Sequence, residues 1–437
     1  MKLGNLFKGD KGIWMVFFCL CLISVVEVFS ASSTLTYKTH NYIGPMVYHL
    51  TTIIVGVVVA IITLNIPCRY FKLLTPIMIF ISFATLLWVL VWGESINGAN
   101  RVIQLPGFTF QPSEIAKGTM VLASAQILSA LQREDGSGAD KHAMWYILLL
   151  VVPTVLLIGR ENLSTAVILF GVIYVMMFIG RVPIIQMGKL TGALVLLAGA
   201  FIGLIFWLGN LDKQAAEAEA TAVDGRKTEL VVAEATPPAA DEVSRWEKIT
   251  HRFGTWKNRI LNHSGDKTDD PKDYKVSDNF QVAHAKFAIA SSGIIGKGPG
   301  NSVERDYLPQ AFSDFIYAII IEEMGIFGAF AVAFLYVILL FRAARIASRC
   351  ENNFPAFLVL GLALLLVFQA VINMMVAVDL MPVTGQPLPL VSKGGTSTIV
   401  NCAYIGVILS VSRSAKRTQP MGTTSNLTSK TTAQCKN

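Results

Sequence analysis

Apolar runs long enough to cross a hydrocarbon core of about 30 Å, which takes about 20 helical residues, recur along the whole chain. Ten of them cover residues 13–30, 48–66, 73–92, 113–131, 143–159, 163–180, 190–208, 315–341, 354–378 and 394–412. Lipid offers no partner to open backbone groups, so each run must close its own hydrogen bonds and becomes a helix. The pattern therefore predicts an all-α polytopic membrane protein with about ten transmembrane helices. Composition agrees, because 53% hydrophobic and only 15% charged residues, with a mean hydropathy of +0.55, exclude an ordinary water-soluble globule. The first run follows Lys2, Lys8 and Lys11 without a convincing small-residue cleavage site after it, and reads as a retained span.

Short loops rich in Lys and Arg stay cytoplasmic. With the N-terminus inside, seventeen such residues fall in inner segments, among them Arg69, Lys72, Arg133, Arg181, Arg342 and Arg413. Only Lys38, Arg101, Arg160 and Lys393 fall in short outer ones. Both termini are thus expected in the cytoplasm, with helices 1–7 over residues 1–209, helices 8–10 over 315–412 and a cytoplasmic tail over 413–437. The net charge of +7 follows from this topology, favours anionic membrane lipid, and is no argument for nucleic acid.

The same orientation puts the long polar segment 210–314 outside. Within it, 214–241 is an Ala/Glu-rich, low-complexity insertion, mobile or partly helical. Residues 243–261 change character, with Trp246, Ile249, Phe253, Trp256 and Ile260 at helical spacing. They read either as an amphipathic helix in the outer membrane interface or as a small helix packed on the loop. No cysteine lies in this loop, so no disulfide framework supports it, and the six histidines show no ligand-like pairing, so no built-in metal site is expected.

Three outer segments carry the polar and Gly/Pro-rich residues. Asp314 stands where a Gly-rich stretch runs into the eighth apolar run; it is either the cap of a helix starting at Phe315, together with Ser313, or an acid held beside water at the mouth of a membrane helix. Glu114 and Lys117, three apart, share one helix face as an ion pair, which either is structural or lines a charged cavity that Arg101 could join. Glu322 and Glu323 lie about two turns into the eighth run, and at least one must face protein interior. Gln369 and Asn373 read as interhelical hydrogen-bonding groups. The hairpin 380–401, with Pro382, Pro387, Pro389 and the Gly394-Gly395 pair, reads as irregular backbone buried in protein or lining a watery cavity, with Lys393 near an anion.

These three segments, RVIQLPGFTFQPSEIAK, AIASSGIIGKGPGNSVERDYLPQAFSDFIYAIIIEEMG and LMPVTGQPLPLVSKGGTS, resemble the SEDS family (shape, elongation, division and sporulation) over essentially the whole chain. GNSV before YLP and the SxGGTS ending look more like the division member than the elongation member. The resemblance implies a peptidoglycan glycosyltransferase polymerising lipid II at the outer face of the cytoplasmic (inner) membrane, for septal wall synthesis. It puts the family's essential Asp on Asp314, as general base. Arg101, Lys117 and Lys393 are the candidate cations for the departing pyrophosphate, with Glu114 holding Lys117. No tightly bound cofactor is implied, although a divalent cation such as Mg or Mn is compatible with this chemistry. A class B penicillin-binding transpeptidase and other division proteins are the implied partners. A lipid II transporter and a non-catalytic division scaffold are the alternatives.

The chain departs from the family pattern at several positions. It reads QAFSDF where EAHTDF is common, which puts Gln310 and Phe312 in place of an acid and a His. Lys393 replaces a Tyr, Ser292 a Gly, and Glu161-Asn162 stand in a PDLGTA-like motif, with Asn162 at its acid.

Overall fold

The computed structural model describes residues 8–31, 44–92, 94–96, 99–105, 108–133, 138–224, 280–308 and 311–415. Every apolar run named above is helical within it. In chain order the helices are α1 (Lys11–Ala31), α2 (Gly44–Asn65), α3 (Cys68–Trp92), α4 (Pro112–Ala130), α5 (Ala143–Glu161), α6 (Leu163–Ile179) and α7 (Ile184–Asp224). There follow α8 (Phe280–Ser292), α9 (Ile316–Ala347), α10 (Asn353–Ala377) and α11 (Thr396–Ser414). Seven of these are long and apolar enough to cross a membrane by length and composition, and α6 is a shorter apolar helix. Two others, α4 and α11, are more polar because they carry Glu114, Lys117 and Gln126, and Asn401 and Ser410. The molecule is thus a polytopic helical membrane protein.

Two elements were not expected from the sequence, and one span runs on into the insertion that was read as mobile or partly helical. Residues before α4 form an antiparallel meander, β1 (Glu94–Ile96), β2 (Ala99–Leu105) and β3 (Phe108–Phe110), where only an outer turn was read. Helix α7 runs on to Asp224 instead of ending near 208, so the start of the insertion is helical backbone. Helix α8 lies inside the segment read as outer loop, and packs on α9. The remainder of the insertion 214–241 and the amphipathic segment 243–261 lie outside the described residues.

Close packing is built on small residues. Helices α2 and α11 pack along each other, with Gly56 against Cys402, where an added Cβ would come within 2.6 Å of the Cys402 sulfur, and Gly406 against the Ala60 carbonyl. At the opposite end from Asp314, the Asp10 carboxylate accepts from Gly12 N and Ile13 N, capping α1, and pairs with Arg342 of α9 at 2.7 Å. The backbone N–H of Asp10 donates to Ser412 of α11, so three helix ends are tied together.

Helix α9 is broken at Gly325, whose φ of 68° and ψ of −167° only glycine adopts readily. The break frees the carbonyls of Glu322 and Glu323, and these accept from Lys297 N (2.9 Å) and Gly298 N (2.8 Å) of the Gly-rich loop. Gly296 and Gly325 meet backbone to backbone, and a Cβ on either would collide with the other segment. Gly325→Ala is therefore expected to cost about 1–3 kcal/mol in backbone strain alone, with the collision against the Ile294 carbonyl adding to it. Thermal unfolding in detergent should show a lowered midpoint, and an unchanged midpoint would contradict this role for the break.

Candidate functional site

Asp314 lies in a non-helical stretch immediately before α9. The helix begins at Ile316 with Phe315 at its N-cap and no side-chain cap bond. Phe315, and not Ser313 or Asp314, thus occupies the N-cap position, and Ser313 Oγ donates to Asp314 Oδ1 (2.9 Å). The carboxylate is half-buried, and its Oδ2 lies 3.6 Å from where a Cβ on Gly385 would stand. Gly385 has φ +65°, so a side chain there would be both strained and pressed toward the acid.

The segment 312–314 is docked onto the Pro-rich loop between α10 and α11. Lys393 N donates to Phe312 O (3.0 Å), Ser392 Oγ donates to Ser313 O (2.6 Å), and Asn373 Nδ2 donates to Asp314 O (2.9 Å). The loop itself is held by its carbonyls, since Pro387 and Pro389 have no N–H to give. Asn373 also donates to Gln386 O (2.7 Å), Gln369 to Pro387 O (3.1 Å), Tyr336 to Pro389 O and Ser24 to Val391 O (2.6 Å). Side chains from α10, α9 and α1 thus fix irregular backbone inside the protein, the condition under which such backbone survives at membrane depth.

Glu114 and Lys117 are 2% and 1% exposed, and their charges meet at 2.9 Å. Lys117 also donates to Gln369 Oε1 (2.9 Å), so its ammonium joins α4 to the same α10 side chain that holds the Pro387 carbonyl. Tyr404 of α11 donates to the Glu114 carbonyl at 2.5 Å. This arrangement makes the pair a strut between α4 and the loop under Asp314. Arg101 lies in β2, and its side chain lies outside the described residues.

Lys393 is half-buried, and its ammonium sits 5.0 Å from the centroid of the Phe312 ring. Burial lowers its pKa from the ordinary lysine value, and the ring face offsets part of that cost. Residues 312 and 393, both read in the sequence as departures, therefore stack on each other two residues from Asp314.

Glu322 and Glu323 are both fully buried, and both anchor the Gly-rich loop. Glu322 pairs with Lys297 (2.6 Å) and accepts from Ser302 Oγ (2.5 Å), Val303 N (3.0 Å) and Glu304 N (3.3 Å). Glu323 accepts from Gly300 N (3.0 Å), Ser302 N (3.2 Å) and the Ser30 hydroxyl of α1. The next partners outward are His284 and Glu304, 2.6 Å apart, with the His284 ring stacked on Tyr307. Asn162 Oδ1 accepts from Thr165 N (3.2 Å) as the N-cap of α6, and Thr165 Oγ1 accepts from Gln386 Nε2 (2.8 Å). Thr165, in the first turn of the helix that Asn162 caps, thus meets the Pro-rich loop at Gln386. Among the described residues no three His, Cys, Asp or Glu side chains converge as metal ligands.

The FtsW/RodA/SpoVE family of cell cycle proteins matches residues 10–212 and 249–417. This chain belongs to that family. It is 29% identical over 412 residues to the probable peptidoglycan glycosyltransferase FtsW of Halomonas elongata, covering 91% of this chain and 89% of the relative. It is 26% identical over 404 residues to the peptidoglycan glycosyltransferase MrdB of Escherichia coli, covering 92% and 93%. Two solved structures share its fold. One is a chain of a peptidoglycan synthase complex that coordinates polymerization and crosslinking (23% identity, 93% and 98% covered, TM-score 0.66). The other is the rod shape determining protein RodA of Thermus thermophilus (22% identity, 95% and 100% covered, TM-score 0.60). Each likeness extends over most of the chain, while the family match leaves out residues 213–248, which hold the Ala/Glu-rich insertion.

Proposed function

We propose that this chain is a peptidoglycan glycosyltransferase that polymerises lipid II at the outer face of the cytoplasmic membrane, with Asp314 as its general base. The observation that supports the catalytic assignment is the placement of Asp314: its backbone carbonyl is held by Asn373 while its carboxylate stands beside the side-chain-free Gly385. Both termini lie in the cytoplasm in this reading, as the Lys and Arg distribution requires, and the Asp314 end of the bundle faces outward.

The acceptor sugar hydroxyl gives its proton to the Asp314 carboxylate as its oxygen attacks the anomeric carbon of the donor. The bond from that carbon to the lipid diphosphate breaks, and the diphosphate leaves with the electron pair. Lys393 and Arg101 supply positive charge to the departing group. Lys117, closed off by Glu114 and Gln369, contributes chiefly by holding the loop in place.

The reading extends to septal wall synthesis in cell division, since the match to division-type relatives covers nearly the whole chain. A class B penicillin-binding transpeptidase would crosslink the strands made here, and other division proteins would place both at the septum. Reconstitution in liposomes with labelled lipid II separates this reading from transport. Glycan strands without leaflet exchange of lipid II are expected; leaflet exchange without strands, in the presence of the transpeptidase, would replace the polymerase with a transporter.

Lys393→Gln gives a more local check. Removing the ammonium next to Phe312 is expected to lower the polymerisation rate by roughly a hundredfold, the low end of the loss when one donor to transition-state charge is removed. A rate equal to wild type would remove Lys393 from the site.

A further inference from the structure

The Pro-rich loop carries one strained residue close to the proposed site. Leu390 holds φ +66°, a left-handed conformation that costs a side-chain-bearing residue about 1–2 kcal/mol. It persists because the carbonyls on both sides of it are pinned: Pro389 O by the Tyr336 hydroxyl of α9, and Val391 O by the Ser24 hydroxyl of α1.

Ser24 has a further partner. Its oxygen lies 2.8 Å from Nε2 of His49, on α2, and both residues are buried. A hydroxyl has one proton to give, and Ser24 gives it to Val391 at 2.6 Å. The His49 contact must then run the other way, with Nε2–H donating to Ser24. That fixes the tautomer of the ring and orients the serine, as the outer partner of a hydrogen-bonded chain does. The Lys393 ammonium is close enough to act electrostatically on the same ring. Two residues beyond the pinned carbonyl, Lys393 N binds Phe312 O and its ammonium covers the Phe312 ring.

We propose that His49 and Ser24 are positioning residues: through the Val391 carbonyl they hold the strained Leu390 turn, and so set where Lys393 stands relative to Asp314. Neither touches substrate. The inference rests on the glycosyltransferase reading above for its effect on rate, but its structural half does not. Loss of the His49 donor frees Ser24 to rotate, lets Leu390 relax, and moves the cation that meets the leaving diphosphate. A displacement of that kind acts on the transition state more than on ground-state binding, so kcat falls while KM holds.

The test compares wild type, Ser24→Ala, His49→Ala and His49→Gln in the purified full-length chain with its transpeptidase. His49→Gln keeps an N–H donor near the position of Nε2. Both alanine variants are expected to lower kcat for lipid II polymerisation roughly tenfold with KM little changed, and His49→Gln to recover most of the loss. Amide hydrogen exchange across residues 388–394, measured on the same samples, is expected to quicken in the alanine variants and return in His49→Gln. Wild-type protection of 388–394 in His49→Ala would overturn the proposal whatever the activity. So would a loss of kcat that His49→Gln fails to rescue at equal folded fraction. If wild type itself makes no polymer while the exchange pattern is as expected, the glycosyltransferase reading fails and the positioning of the loop stands.

Discussion

Lys117→Met is expected to destabilise the protein by about 3–5 kcal/mol, the cost of stripping one partner from a buried ion pair. The substitution leaves the Glu114 carboxylate without its cation at 2% exposure, and also takes the donor from Gln369 Oε1. Gln369 is the residue that holds the Pro387 carbonyl, so the damage passes from α4 to the loop beneath Asp314. Glu114→Gln should be milder, because its amide oxygen can still accept from the ammonium. The double variant Glu114→Gln/Lys117→Met should regain much of the lost stability, since it removes both charges together. Thermal unfolding of the four proteins in one detergent measures this. Additive losses in the double variant would show that the two side chains act independently.

Asp314→Asn is expected to lower polymerisation by about 10²–10⁴-fold, the usual contribution of a positioned general base. The carboxamide has nearly the shape of the carboxylate but cannot take up the acceptor's proton. Folding should be spared for a specific reason. The backbone carbonyl of residue 314 is held by Asn373, and that bond survives the substitution. A structural cap would behave differently, since Asn caps helices as well as Asp does and the variant would keep full activity.

Much of this architecture was legible in the sequence because its period is long and its chemistry coarse. Runs of 17 or more apolar residues permit little but helices in lipid, and each is helical. Asp314 stood out at the junction of a Gly-rich stretch and an apolar run, where a cap and an acid beside water were both open, and the family resemblance put the essential Asp there. The Glu114–Lys117 pair followed from helical spacing alone. Other features were hidden for identifiable reasons. The break at Gly325 was invisible because a glycine inside an apolar run is ordinary in membrane helices, and only the approach of Gly296 reveals its use. The meander 94–110 lay in strands of three to seven residues, too short to show a period of two. Gln369 was read as an interhelical hydrogen-bonding group, which its bond with Lys117 of α4 bears out; what was hidden is that the amides of Gln369 and Asn373 also bind loop carbonyls, since no pattern in the side chains announces a carbonyl acceptor. Ser24, His49 and Tyr336 were missed for the same reason. Lys393 was read as a candidate cation and Phe312 as a departure, but their stacking was hidden, because a contact between positions 81 residues apart leaves no local signature.

The most direct measurement is the initial rate of glycan strand formation from purified lipid II by the full chain with its transpeptidase, wild type against Asp314→Asn at equal folded amount. Strands from wild type and a loss of at least about 10²-fold in the variant, with unchanged unfolding midpoints, are the expected result. Strands at comparable rates from both proteins would contradict the assignment of Asp314 as the base.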